Sequence, residues 1–232
     1  MPLNDQSQST TANPETETMS LLTAVPWAWI RQVRHLVDTH ATNIKPAPAQ
    51  ILPWLYLANE RFVRQPSLLS AHGITHVLTV NEMDVVSYMS LQQTLRQAGI
   101  QNHAYYPGLD HDDYDMIGLH WQDCQRFLQS VRDDAHDANG NNSKVVVHCQ
   151  AGMNRSGVIV AAAYMILEQQ PLLETVKHVI KQRGAVLWNR SFQKQLCLLA
   201  AKEGLLGDYP EGQSNEPMVE QPLPPPTTNL NW

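Results

Sequence analysis

A cysteine and an arginine stand six positions apart where a β-branched run meets a long apolar stretch: Val145-Val146-Val147-His148-Cys149, then Gln150-Ala151-Gly152-Met153-Asn154, then Arg155-Ser156-Gly157 and Val158 through Leu167. The run reads as a buried strand and the apolar stretch as a helix. A thiol delivered to a helix N-terminus sits where backbone N–H groups converge and the dipole favours negative charge. A cysteine attacks only as thiolate, and a helix N-terminus beside an arginine favours that form. Five residues curled between Cys149 and Arg155 can aim successive N–H groups inward as an anion nest, and a guanidinium can bridge two phosphate oxygens as a planar fork. Gly152 supplies backbone freedom for the curl. Ser156 is placed to hydrogen-bond the sulfur, and His148 to organise the loop. The chemistry expected is attack on a phosphate, with Gln150, Ala151, Gly152, Met153, Asn154 and Arg155 binding it.

His148-Cys149, five residues, then Arg155-Ser156 resembles the signature of cysteine-dependent protein phosphatases, and Gln150-Ala151-Gly152 with Ser156-Gly157 resembles the dual-specificity branch. The resemblance extends over about residues 50 to 204. Ile51 to Leu57 is similar to the family's opening strand region, Gly73 to Val80 to its next parallel strand, and Asn189 with Phe192, Gln195 and Leu196 to its last helix. It implies hydrolysis of phosphotyrosine and phosphoserine or phosphothreonine through a cysteinyl-phosphate, with no cofactor and no metal. It also implies a general-acid Asp on a loop before the cysteine, commonly just after a Pro. Pro107-Gly108-Leu109-Asp110 fits, so Asp110 is the candidate; Asp112 follows closely enough that loop geometry could bring it forward instead. Asp115 reads as the cap of the next helix. The stretch Asp110 to Asp115 lacks the glycine and terminal glutamate of a calcium loop.

The elements that must position these groups follow from hydrophobic period. Short apolar runs at 51–57, 74–80, 103–106 and 145–147 read as strands, and Val85 to Ala98, Met116 to Val131 and Leu172 to Arg183 as helices. Strands alternating with helices predict an α/β fold: a mainly parallel central sheet with helices on both faces. The sequence divides into a disordered segment at 1–18, a helix and Pro-containing linker at 19–49, a catalytic domain at 50–207, and a disordered Pro-rich tail at 208–232. Within the second segment Val25, Trp29, Val33 and Leu36 or Val37 share a helical face, which packing on the domain explains better than membrane-surface or partner docking. Pro222 to Pro226 could meet a polyproline-binding module.

Three cysteines among 232 residues make no disulfide framework, and Cys124 and Cys197 fit core positions of amphipathic helices. No run is apolar enough to span a membrane, and the opening residues are not a targeting signal, so a cytoplasmic or nuclear setting is expected. A formal charge of −6 disfavours nucleic acid or an anionic membrane as partner. The resemblance implies a phosphoprotein substrate. Two rivals remain: removal of RNA 5′-phosphates, which Asn154-Arg155 before a hydroxyl residue and Gly157 also suits, and a non-catalytic phosphate-binding scaffold.

Overall fold

The computed structural model describes residues 25–137 and 142–218. In chain order the elements are α1 (Trp27–His40), β1 (Ala49–Gln50), β2 (Leu55–Asn59), α2 (Glu60–Val63), α3 (Pro66–Ala71), β3 (His76–Val80), α4 (Val85–Gln97), β4 (Asn102–Tyr106), α5 (Met116–His136), β5 (Val145–Cys149), α6 (Arg155–Leu167), α7 (Leu172–Arg183) and α8 (Arg190–Lys202). The strands form one sheet in the order β1-β2-β5-β3-β4, parallel except for β1. β5 therefore lies at the centre, with Thr79 opposite His148 on one side and Asn59 opposite Cys149 on the other. That register brings the loops after β2, β3 and β4 to the same sheet edge as Cys149.

Both faces are covered. Val145 and Val147 join Leu55, Leu57 and Leu78 in the core beneath α1, α5, α6, α7 and α8, whereas Val146 turns the opposite way to meet Tyr56, Val77, Phe62, Leu69, Leu91 and Leu95 under α2, α3 and α4. This is the alternation of a pleated strand buried on both sides. Helix α6 is buried nearly all round, so its uniform apolarity from Val158 to Leu167 reflects enclosure rather than one wet face. Cys124 and Cys197 are buried free thiols, as their helical pattern implies, and burial pushes the Cys124 thiol up to about 12.

Three local expectations are corrected. The 51–57 run is not one strand: residues 51–54 turn between β1 and β2, with Ile51 and Leu52 N–H groups donating to Leu55 O. Pro53 has no N–H to give a ladder. On α1 the buried stripe is Ala28, Ile30, Val33, Leu36 and Val37, while Val25 and Trp29 are only half-buried. The chain also stays ordered beyond residue 207. Residues 208–218 run back along α1, where Tyr209 sets its ring edge-on to Trp29 and Arg31 donates to the carbonyls of Ser214 and Glu216. The N-cap of α1 is Pro26, which offers no side-chain acceptor; Asn215 Oδ1 takes the Ala28 N–H at 3.1 Å instead. The expectations for residues 1–18 and for Pro222–Pro226 lie outside the described residues.

Candidate active site

The loop from Cys149 to Arg155 is shaped from outside. Every carbonyl from Gln150 to Met153 is held by a donor beyond the loop: Gln150 O by Glu60 N at 3.1 Å, Ala151 O and Gly152 O by Arg183 at 3.2 and 3.0 Å, and Met153 O by Leu187 N at 3.2 Å. Carbonyls pinned outward leave the N–H groups for the concave side. Gly152 N accordingly points at Cys149 Sγ, 3.3 Å away, and Ser156 Oγ donates to the same sulfur at 3.1 Å. Gly152 has φ +68°, and a Cβ there would lie 2.4 Å from Ala58 O of β2. The tight curl and its seat against β2 both require glycine.

Arg155 is 7% exposed and its Nη1 donates to Asn81 Oδ1 at 2.7 Å and to Gly108 O at 3.1 Å. Its Nε is buried with no hydrogen-bond partner among the described residues. An unpartnered guanidinium N–H in a buried site is costly, and an anion placed against it removes the cost. Asp110 Oδ2 is 4.0 Å from that nitrogen. The Asp110 carboxylate instead accepts from Asn154 Nδ2 at 3.1 and 3.2 Å and from Asn189 Nδ2 at 3.1 Å. Asp112 is exposed, and Asp113 pairs with His111. Asp115 caps α5, accepting from Gly118 N at 2.8 Å. Of the four aspartates, the fold brings Asp110 against the Cys149–Arg155 loop. Its own loop is fastened behind it: Tyr114 OH donates to Pro107 O at 2.7 Å, and Gln195 Nε2 to Tyr114 O at 2.8 Å.

His148 is wholly buried and faces β3. A polar chain runs from it through Thr79 Oγ1 (2.7 Å) to His103 Nε2 (2.8 Å), and from His103 Nδ1 to Gln92 Nε2 (2.6 Å). Burial, with His103 as a second cause, pushes His148 down to about 3; burial pushes His103 down to about 4. Both rings are neutral at physiological pH. The Gln92 amide donating to His103 Nδ1 leaves His103 Nε2–H for Thr79, whose own proton then goes to His148 Nε2.

The fold thus brings Gly152 and Ser156 onto the Cys149 sulfur, and Asn154 and Arg155 to Asp110. Sequence reasoning missed Asn81, which aims Arg155, although a polar residue just past a central parallel strand was a usable signal. It also missed Arg183, 2% exposed, whose place in the last turn of α7 looks like ordinary helix-dipole chemistry. The same guanidinium holds Lys45 O, so the segment before β1 is tied to the loop rather than passing it as a linker.

Residues 55–202 match the family model described as "Dual specificity phosphatase, catalytic domain". The human "Dual specificity protein phosphatase 26" is 27% identical over 176 residues, covering 75% of this chain and 76% of that one. The mouse "Dual specificity protein phosphatase 2" is 31% identical over 159 residues, 66% of this chain and 42% of that protein. Among solved structures, human DUSP28 aligns with a TM-score of 0.56 at 18% identity, covering 70% of this chain and 97% of the other, a likeness of fold. The matched span contains β2 to α8 with Cys149 and Arg155, and the chain belongs to the dual specificity phosphatase family, cysteine-dependent protein phosphatases of the protein tyrosine phosphatase superfamily.

Proposed function

We propose that the protein hydrolyses phosphotyrosine and phosphoserine or phosphothreonine in proteins through a cysteinyl-phosphate on Cys149. The single observation that carries this reading is the set of four outward-held carbonyls from Gln150 to Met153, with the Gly152 N–H turned onto the Cys149 sulfur. In the first step the Cys149 thiolate attacks phosphorus while the bond to the substrate oxygen breaks, and Asp110 gives that oxygen its proton. The nest and the Nε edge of Arg155 bind the equatorial oxygens as charge gathers on them. In the second step Asp110 takes a proton from water, the water oxygen bonds to phosphorus, and the S–P bond breaks with Ser156 hydrogen-bonding the departing sulfur. Every group needed is an amino-acid side chain or backbone amide, and the reaction runs in chelator.

The test is one substrate panel: an aryl phosphate with an acidic phenol, phosphotyrosine and phosphothreonine peptides, and a 5′-triphosphorylated oligonucleotide. Turnover of both peptides, lost in Cys149→Ser while phosphate still binds, is the expected result. Preference for the oligonucleotide would give the RNA reading instead, and absence of turnover with intact phosphate binding would make the protein a scaffold. Asp110→Asn should depress peptide turnover far more than that of the acidic aryl phosphate; the same pattern in Asp112→Asn alone would move the acid to Asp112.

A further inference from the structure

Asn154 occupies the N-cap position of α6, the place where an asparagine ordinarily turns its side-chain oxygen back to a first-turn N–H of its own helix. It makes no such bond. Its Oδ1 instead accepts from Trp188 N at 2.8 Å and Asn189 N at 3.2 Å, and its Nδ2 donates to both oxygens of Asp110 at 3.2 and 3.1 Å. One side chain thus spends acceptor and donor alike on two loops other than its own. The Asn154 side chain therefore does not compete with an anion for the first-turn N–H groups of α6.

We propose that Asn154 is a positioning residue for the general acid rather than a contact for the phosphate, and that it does this by tying the Asp110 loop and the segment before α8 to the floor of the site. The proposal rests on the reading of Asp110 as the acid. An acid must lie within hydrogen-bond reach of the oxygen it protonates, and Asp110 is 33% exposed on its side chain, with solvent on one flank. The Asn154 amide reaches both carboxylate oxygens and so fixes the plane of the group as well as its place. Asn189, which caps α8 through Phe192 N at 3.1 Å, adds a third hydrogen bond, from its Nδ2 to Asp110 Oδ1. The sequence pattern hides this, because an asparagine just before a helix reads as a cap.

The experiment compares kcat/KM across phosphate esters of graded leaving-group acidity, from a phosphothreonine peptide to an acidic aryl phosphate, for wild type, Asn154→Ala, Asn154→Asp, Asp110→Asn and Asp110→Asn/Asn154→Ala. Asp110→Asn should lower the peptide-to-aryl ratio by about a hundredfold or more, the scale of general acid catalysis. Asn154→Ala should lower it by about tenfold. Asn154→Asp keeps the acceptor for the two backbone N–H groups but turns an oxygen towards Asp110, so it should lower the ratio at least as much. In the double variant the ratio should equal that of Asp110→Asn, because a positioner has nothing left to position. An equal loss on every ester in Asn154→Ala, or a double variant whose ratio falls as the product of the two single effects, overturns the proposal and leaves Asn154 as a loop-shaping residue. If Asp110→Asn leaves the ratio at the wild-type value, the acid assignment falls and this proposal with it, whatever Asn154→Ala does.

Discussion

Replacing Gly152 with alanine should remove about a hundredfold of activity for a stability cost of only a few kcal/mol. Two contributions can be separated. The first is conformational: at φ +68° a residue with a Cβ pays about 1–2 kcal/mol. The second is steric: the Cβ would lie 2.4 Å from Ala58 O, 2.6 Å from Ala58 C and 2.8 Å from Asn59 N. A carbon keeps about 3.3–3.6 Å from a carbonyl oxygen, so the loop or β2 must give by roughly 1 Å. All three contacts are backbone in a central parallel pair, so the loop gives. A 1 Å misplacement of reacting groups costs about a hundredfold in rate. The matched control is Gly99→Ala, with φ +72° and nothing within 4 Å of the added carbon. Gly99 precedes β4 at the sheet edge away from Cys149, so its variant carries the conformational cost alone and keeps full activity. The assay is kcat/KM on an aryl phosphate with urea unfolding of each variant. Activity of Gly152→Ala within threefold of wild type, or an equal loss in Gly99→Ala, would refute the argument from the curl.

Arg155→Lys should lose about a hundredfold or more in kcat/KM, because an ammonium that donates to Asn81 and Gly108 has no planar fork to present to two phosphate oxygens as well; phosphopeptide kinetics check it. His148 and His103 are depressed below their unfolded values, so the unfolded chain binds more protons once the pH drops under about 6.5. Stability should then be fully present above that pH and fall towards pH 4 by up to about 1.4 kcal/mol per unit for each ring, measured by urea unfolding across the range. His148→Gln should flatten that slope. Truncation after Gly207 removes the Asn215 cap and the Tyr209 contact, and should cost about 1–2 kcal/mol; a melting temperature equal to that of the full chain would show that the segment contributes nothing.

The Cys149 loop was legible because local pattern and global fold agree there: a β-branched run, a loop with one obligatory glycine and an apolar helix all serve the proposed anion site. Asp115 was readable as a cap and Cys124 and Cys197 as core thiols for the same reason, each being decided by its own helix. Asn81, Arg183 and the clamp on Asp110 were not, since each acts on a partner 31 or more residues distant and its type has a bland local explanation. The segment at 208–218 escaped because its composition is that of a solvated chain; what orders it is the side of α1, which composition does not contain. The 51–57 run misled by apolarity alone, where Pro53 decides the backbone.

The Asn215 cap has a consequence for how the chain is made. Asn215 lies 187 residues after the N–H it accepts, and the helices that bury the Val33 stripe also come late in the sequence. At about 5–20 residues per second of synthesis, α1 waits roughly 10–40 s for the acceptor that finishes its first turn. An isolated helix of 14 residues is marginal in water. During elongation α1 is therefore an unfinished amphipathic segment with its apolar side exposed to whatever binds nascent chains, and the order of its completion is set by the last part of the domain to be translated rather than by its own place in the sequence.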